Sequence, residues 1–181
     1  MINVGITKRI EVFFLCSMFV SILQTSAQEI SAKDYFSKAQ EAYNTGNCPK
    51  AIRFGTEAVK KCEQEYGKEN PYYVLYLVAL ARYYNSIGDY QETIRLDTEA
   101  LHLREKLSGK DKFYANILGV LASCYALLEN YPESIRLFTE AVQIQERILG
   151  VNHPDYLKTF DNLKYIQKVY ADKQSEISMP K

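Results

Sequence analysis

One spacing constrains this chain more than any other feature. Ala39, Ala81 and Ala122 are separated by 42 and then 41 residues. The same two steps join Ile52, Ile94 and Ile135, then Ala58, Ala100 and Ala141, then Gly67, Gly109 and Gly150. A period of this length marks a stacked array, because each unit has an apolar face that only a neighbouring unit can cover. The unit is clearest from Leu77 to Gly109. Leu77, Leu80, Ala81, Tyr84 and Ile87 recur at three- and four-residue steps, which is one face of an α-helix. A turn at Ile87-Gly88-Asp89 follows, and Ile94, Ala100, Leu101 and Leu107 mark the inner side of a second helix. The alanines let paired helices approach closely. The loop glycines suit the left-handed backbone that ends a helix.

Taken in order, the array is expected to begin with Ser31 as a helix cap and to carry Tyr35, Ala39 and Ala42 inward. Gly46-Asn47 turns the chain and Pro49 stands in a first helical turn, where proline is tolerated. Asn70-Pro71 restarts the pattern. The third unit starts near Asp111, turns at Glu129-Asn130 and places Pro132 at the head of its second helix. Repeats are therefore expected over about 31–67, 71–109 and 111–150. A seventh helix over 154–172 carries Tyr156, Leu157, Phe160, Leu163, Ile166 and Tyr170 on its apolar side, and Lys164 where the earlier first helices have alanine. A charge there suits a capping helix that ends the array. The tail 173–181 is polar and without period, and is expected to be disordered.

These residues resemble the tetratricopeptide repeat. The likeness lies in Leu80-Ala81, Tyr84, Gly88-Asp89-Tyr90, Ile94 and Ala100-Leu101. It recurs in Leu121-Ala122, Tyr125, Asn130-Tyr131, Ile135, Phe138 and Ala141-Val142. The long period and the connector from Glu146 to Tyr156, with its Gly150-Val151-Asn152-His153-Pro154, are similar to the kinesin-light-chain variety of that repeat. The resemblance implies an all-α, right-handed superhelical array of antiparallel helix hairpins (an α-solenoid) over residues 28–172. Its first helices would line a concave groove for protein or peptide ligands. The groove positions it implies are Phe36, Gln40 and Tyr43 in the first repeat, Leu75, Val78, Arg82 and Asn85 in the second, and Asn116, Ser123 and Ala126 in the third. Two departures prevent transfer of a ligand. Phe36 and Gln40 stand where chaperone-binding members hold a terminal carboxylate with Lys and Asn. Ala79 and Val120 stand where kinesin light chains carry asparagines, with Asn162 the one match.

Residues 1–27 have a different character. Lys8 and Arg9 precede the apolar run from Val12 to Leu23, and Gln24-Thr25-Ser26-Ala27 follows it. This is the layout of a secretory signal peptide with cleavage after Ala27, giving an exported, periplasmic or secreted protein. Twelve apolar residues are short for a membrane span, and the alternative is an uncleaved anchor over 12–23. Membrane association is expected only in that case. Removing the segment leaves 20 basic and 21 acidic residues of the 22 and 22 in the whole chain. A near-neutral chain has no broad attraction for nucleic acid, so none is expected as a partner.

The sequence carries no catalytic signature. Cys48 and Cys62 lie about 21 Å apart along one helix and cannot pair. With Cys124 they read as small semi-buried apolar residues. His102 reads as a helix-surface residue and His153 as helix-start structure. Neither has metal-ligand spacing, and there is no nucleophile elbow or glycine-rich phosphate loop. No enzyme activity, cofactor or metal is expected. Fifteen tyrosines and no tryptophan are the one unusual composition. Tyr35, Tyr84 and Tyr125 fall on inward stripes, whereas Tyr72, Tyr76 and Tyr83 share another face, so at least one should be exposed.

The expectation for function is an exported interaction module that holds a protein or peptide in its concave groove. Two alternatives stand beside it. One is a regulatory or accessory subunit of a protease, sensor kinase or secretion system. The other is a self-associating scaffold whose uncovered first helix pairs with a second copy.

Overall fold

The computed structural model describes residues 30–178, and the segment read as a signal peptide lies outside them. The chain divides at Ser31, and the second unit, Ser31–Lys181, holds every described helix. Among the described residues there are seven helices and no strand: α1 (Ala32–Asn44), α2 (Cys48–Tyr66), α3 (Pro71–Ser86), α4 (Tyr90–Ser108), α5 (Lys112–Leu127), α6 (Tyr131–Leu149) and α7 (Pro154–Ser178). Each helix packs chiefly against the one before and the one after it. This sequential packing is that of an all-α helical-repeat solenoid.

Local chemistry explains where each helix begins. The side chains of Ser31, Asn47, Asn70, Asp89, Asp111 and Asn130 all accept a hydrogen bond from a backbone N–H in the first turn that follows. Ser31 completes a capping box, since Asp34 in turn accepts from the Ser31 N–H. His153 occupies the corresponding place before α7, and its Nδ1 accepts from the Asp155 N–H at 3.1 Å. The histidine is helix-start structure, as its position suggested. The second helix of every repeat ends on a glycine at positive φ: Gly67 at 77°, Gly109 at 72° and Gly150 at 81°.

Packing explains the alanines. Ala39, Ala81, Ala122, Ala58, Ala100 and Ala141 are all fully buried. In two hairpins a hydroxyl crosses the contact that they make possible. Ser134 Oγ donates to the Ala122 carbonyl at 2.7 Å, and Thr93 Oγ1, which donates to the Asp89 carbonyl at 2.8 Å, also lies 3.3 Å from the Ala81 carbonyl. Between hairpins, side-chain volumes are matched. Gly55 in α2 faces Tyr83 in α3, and a Cβ on Gly55 would come within 3.2 Å of that ring. One repeat later the corresponding pair is Asp97 and Cys124, and then Phe138 and Ile166, all buried. Polar ties on the outside repeat too. Glu99 accepts from Tyr73 at 3.0 Å and pairs with Lys68 at 3.2 Å, while Glu140 accepts from Tyr114 at 3.5 Å and pairs with Lys110 at 2.7 Å. Burial, with the Glu99 contact second, pushes the Tyr73 hydroxyl up to about 12.

Three expectations need correction. Ile87 is not part of the inward stripe, because it is the C-cap residue of α3 and is 53% exposed. Leu157 is likewise exposed, since Tyr156, Leu163 and Ile166 alone form the buried edge of α7. The stretch 173–178 is not a structureless tail, because α7 continues through it to Ser178. Its last turns dock on the turn between α5 and α6: Lys173 pairs with Glu129 at 2.9 Å and lies over the Tyr131 ring at 4.9 Å.

Candidate ligand groove

The first helices α1 and α3 meet through their aromatic rings, and the residues implied as groove-lining are carried by α1, α3 and α5. At the N-terminal end the surface is aromatic. Phe36 stacks on Tyr76 with ring centroids 4.4 Å apart, and the Tyr43 ring lies 4.9 Å from that of Tyr83. Tyr72 is the tyrosine left exposed on α3, while Tyr76 and Tyr83 are buried. The Arg82 guanidinium sits over Tyr43 at 4.8 Å and within 5.7 Å of the Tyr83 ring centre. Arg82 is exposed and makes no ion pair among the described residues. Stacking on the tyrosine face fixes the guanidinium without neutralising it.

The C-terminal end is polar. A groove of about 380 Å³ opens between α5 and α7, with its inner wall on α6. Asn85, Asn116 and Ser123 line it, so three of the ten implied residues meet in one place. Asn85 also donates from Nδ2 to Cys124 Sγ at 3.7 Å, and Ser123 Oγ donates to the Gly119 carbonyl at 2.8 Å. The others do not gather there. Gln40 and Leu75 are exposed on α1 and α3, whereas Val78 and Ala126 are half-buried against the core.

The rest of the lining lies outside the ten positions that the resemblance implies, although Val120 and Asn162 stand at the asparagine positions of kinesin light chains. It comprises Ala115, Gly119, Val120, Phe138, Gln145, Asp155, Lys158, Thr159 and Asn162. The spacing contained the signal for several of them. Gly119 is the periodic counterpart of Phe36 and Val78, and Lys158 that of Leu75 and Asn116. The capping helix α7 also lines the groove, through Asp155, Lys158, Thr159 and Asn162. Gln145 comes from a second helix, and no groove pattern built on first helices reaches it.

Buried titratable groups sit just behind this surface. Asp97 is 2% exposed, its Oδ1 has no hydrogen-bond partner, and burial pushes its carboxyl up to about 7. Burial first, and the neighbouring Asp97 second, push the Cys124 thiol up to about 11, and burial does the same to Cys62. Neither thiol has the character of a nucleophile. His102 is exposed on α4. Among the described residues no three metal-ligating side chains gather, and no helix is long and apolar enough to cross a membrane.

Comparison with known proteins agrees with this architecture. Models of the tetratricopeptide repeat match residues 75–111 and 113–174, together more than half of the chain. The chain belongs to the tetratricopeptide-repeat family, whose members are protein-protein interaction modules built on a non-catalytic scaffold. No curated protein matches it by sequence. The fold is similar to that of BtubC (BKLC) from P. vanneervenii, with a TM-score of 0.72 and 21% identity, over 79% of this chain and 57% of that one. It is also similar to a kinesin-light-chain structure from Podospora anserina with nearly identical TPR-like repeats, with a TM-score of 0.69 and 21% identity over 79% and 68% of the two chains. The apo form of RapI gives a TM-score of 0.70 and 18% identity over 89% of this chain and 57% of that one. The chain thus spans little more than half the length of two of these structures, and the likeness is one of fold.

Proposed function

We propose that this protein is an exported adaptor that holds a segment of another polypeptide along the side formed by α1, α3, α5 and α7. The observation that carries this reading is Arg82, an exposed cation fixed 4.8 Å over the Tyr43 ring with no ion pair among the described residues. A guanidinium already oriented by an aromatic face loses little freedom on binding, and an acidic or carbonyl-rich segment would meet it with little further ordering. Tyr and Arg are also the residue types that most often anchor interfaces. The aromatic half around Phe36, Tyr43 and Tyr72 would bury apolar side chains of the segment, and the amide-rich half between α5 and α7 would hydrogen-bond its remainder. Export is supported by Lys8 and Arg9, the apolar run Val12–Leu23 and the small residue Ala27.

The test starts with partners cross-linked in the native host and identified by mass. A Tyr43→Ala/Arg82→Ala double variant should bind an identified partner at least about tenfold more weakly, the loss expected when two interface anchors are truncated. Equal affinity of wild type and variant would overturn the groove assignment. Intact mass and N-terminal sequencing of the native protein should find a chain starting at Gln28. A full-length chain in the membrane fraction would replace export with anchoring.

A further inference from the structure

The polar end of the groove contains an acceptor that the fold itself leaves unanswered. Gln145 is only 3% exposed, it lines the groove, and its Oε1 has no hydrogen-bond partner. Hairpin packing does not call for an amide there. The periodic counterparts of Gln145 are Cys62, a buried thiol, and Arg104, whose guanidinium pairs with Asp111. A buried acceptor without a donor is costly, and a donor brought by a ligand would remove that cost.

Gly119 supplies a second, independent observation. It lies in the middle of α5, where glycine is a poor helix residue, and its periodic counterparts are Phe36 and Val78. A Cβ built on Gly119 would meet nothing within 4 Å, so close packing does not require the glycine. Its effect is to leave the groove wall bare.

The charges select the ligand group. Asp155 is already paired with Lys112 at 2.8 Å, so it offers little to an incoming cation. An incoming anion could pair with Lys158 but would leave the Gln145 carbonyl oxygen without a donor. Of the other polar lining groups Lys158 only donates, while Asn116 and Asn162 each donate and accept. A neutral group that does both fits this set. A carboxamide fits it by donating to the Gln145 oxygen while accepting from the neighbouring donors.

We infer that this pocket receives the side chain of an asparagine or glutamine residue of the bound polypeptide, paired amide to amide with Gln145. The inference rests on the groove reading above and specifies what its C-terminal end selects. The test titrates the 15N-labelled full chain with N-acetyl-glutamine methylamide, and with the methionine and glutamate analogues as apolar and anionic controls. The glutamine probe should shift the signals of Asn116, Gly119, Asn162 and the Gln145 side-chain amide in a saturable way. It should bind about fivefold more tightly than either control, the ratio expected of one additional satisfied hydrogen bond. Gly119→Leu, which has open space for its side chain, should keep the fold and abolish these shifts. If the methionine or glutamate probe binds the same residues as tightly, the carboxamide assignment falls and the groove stands. If no probe perturbs these residues, the assignment is likewise overturned, while the Tyr43/Arg82 experiment judges the groove separately.

Discussion

At the scale of single residues, Asp97 and Glu129 both break the pattern of their own array. Asp97 is buried where its counterparts are Gly55 and Phe138, and its carboxyl is raised to about 7 by desolvation alone. Below the ordinary carboxylate value of 3.8 the group is neutral in the folded and unfolded chains alike. Between there and about 7 the unfolded chain releases its proton while the folded chain retains it, so stability falls as pH rises. The slope is roughly 1.4 kcal/mol per pH unit for a single group. Cys124 is the titratable neighbour that faces it from α5, and its own raised value keeps it neutral throughout this window. Asp97→Asn should therefore remove a fall in stability between pH 4 and 7 and be more stable than wild type at pH 8. Urea titrations of both proteins across that range check this, and parallel curves would refute it. Glu129 has φ of 60° where the other two repeats turn through Gly46 and Gly88. An L residue in that conformation costs about 1 kcal/mol, which glycine avoids. Glu129→Gly and Glu129→Ala both lose the contact with Lys173, so their difference isolates the backbone. Glycine should be the more stable variant by about 1 kcal/mol in denaturant unfolding.

At the scale of helices and turns, the period made most of the architecture legible. Six alanines, three helix-ending glycines and a series of cap residues are enough to place six helices, because each has a steric or hydrogen-bonding reason that acts within a few residues. The first hairpin, α1–α2, shows how far this reaches. It lies outside the spans matched by the family models, yet Ala39, Ala58 and Gly67 mark it by subtraction alone. What local pattern could not show were contacts made across the array. The end of α7 is helical because Lys173 reaches Glu129 and Tyr131, and because Tyr170 packs with its ring centroid 6.1 Å from that of Tyr131. Nothing in residues 173–178 themselves announces those partners. The groove divided in the same way, since Asn116 and Ser123 follow from their place on a first helix, whereas Gln145 enters it from behind. A Lys173→Ala variant should speed amide exchange in the last two turns of α7 and leave the melting temperature unchanged. Unaltered exchange there would mean that the docking contributes nothing to the helix end.

At the scale of the molecule, sequential packing determines how the fold responds to damage. Each helix is held chiefly by its neighbours in the chain, so stability is close to a sum over successive interfaces. A helix in the middle has two such interfaces, and α7 has one among the described residues. Leu118 in α5 is fully buried, and Leu163 in α7 is 7% exposed. Leu118→Ala removes packing from the helix that joins the second repeat to the third, and should lower global stability by about 2–5 kcal/mol. Leu163→Ala removes a comparable volume from the terminal helix. Its consequence should be confined to local opening of α7, with the protection of α3 and α4 preserved. Hydrogen exchange followed by mass spectrometry separates the two outcomes, because it reads each helix by itself. The functional consequence follows from the same geometry. Local opening of α7 removes Lys158, Thr159 and Asn162 from the polar half of the groove while Tyr43 and Arg82 remain in place. Leu163→Ala should therefore weaken whatever binds between α5 and α7 and spare contacts at the aromatic end. Equal loss of protection in all seven helices would show instead that the array folds as one indivisible unit.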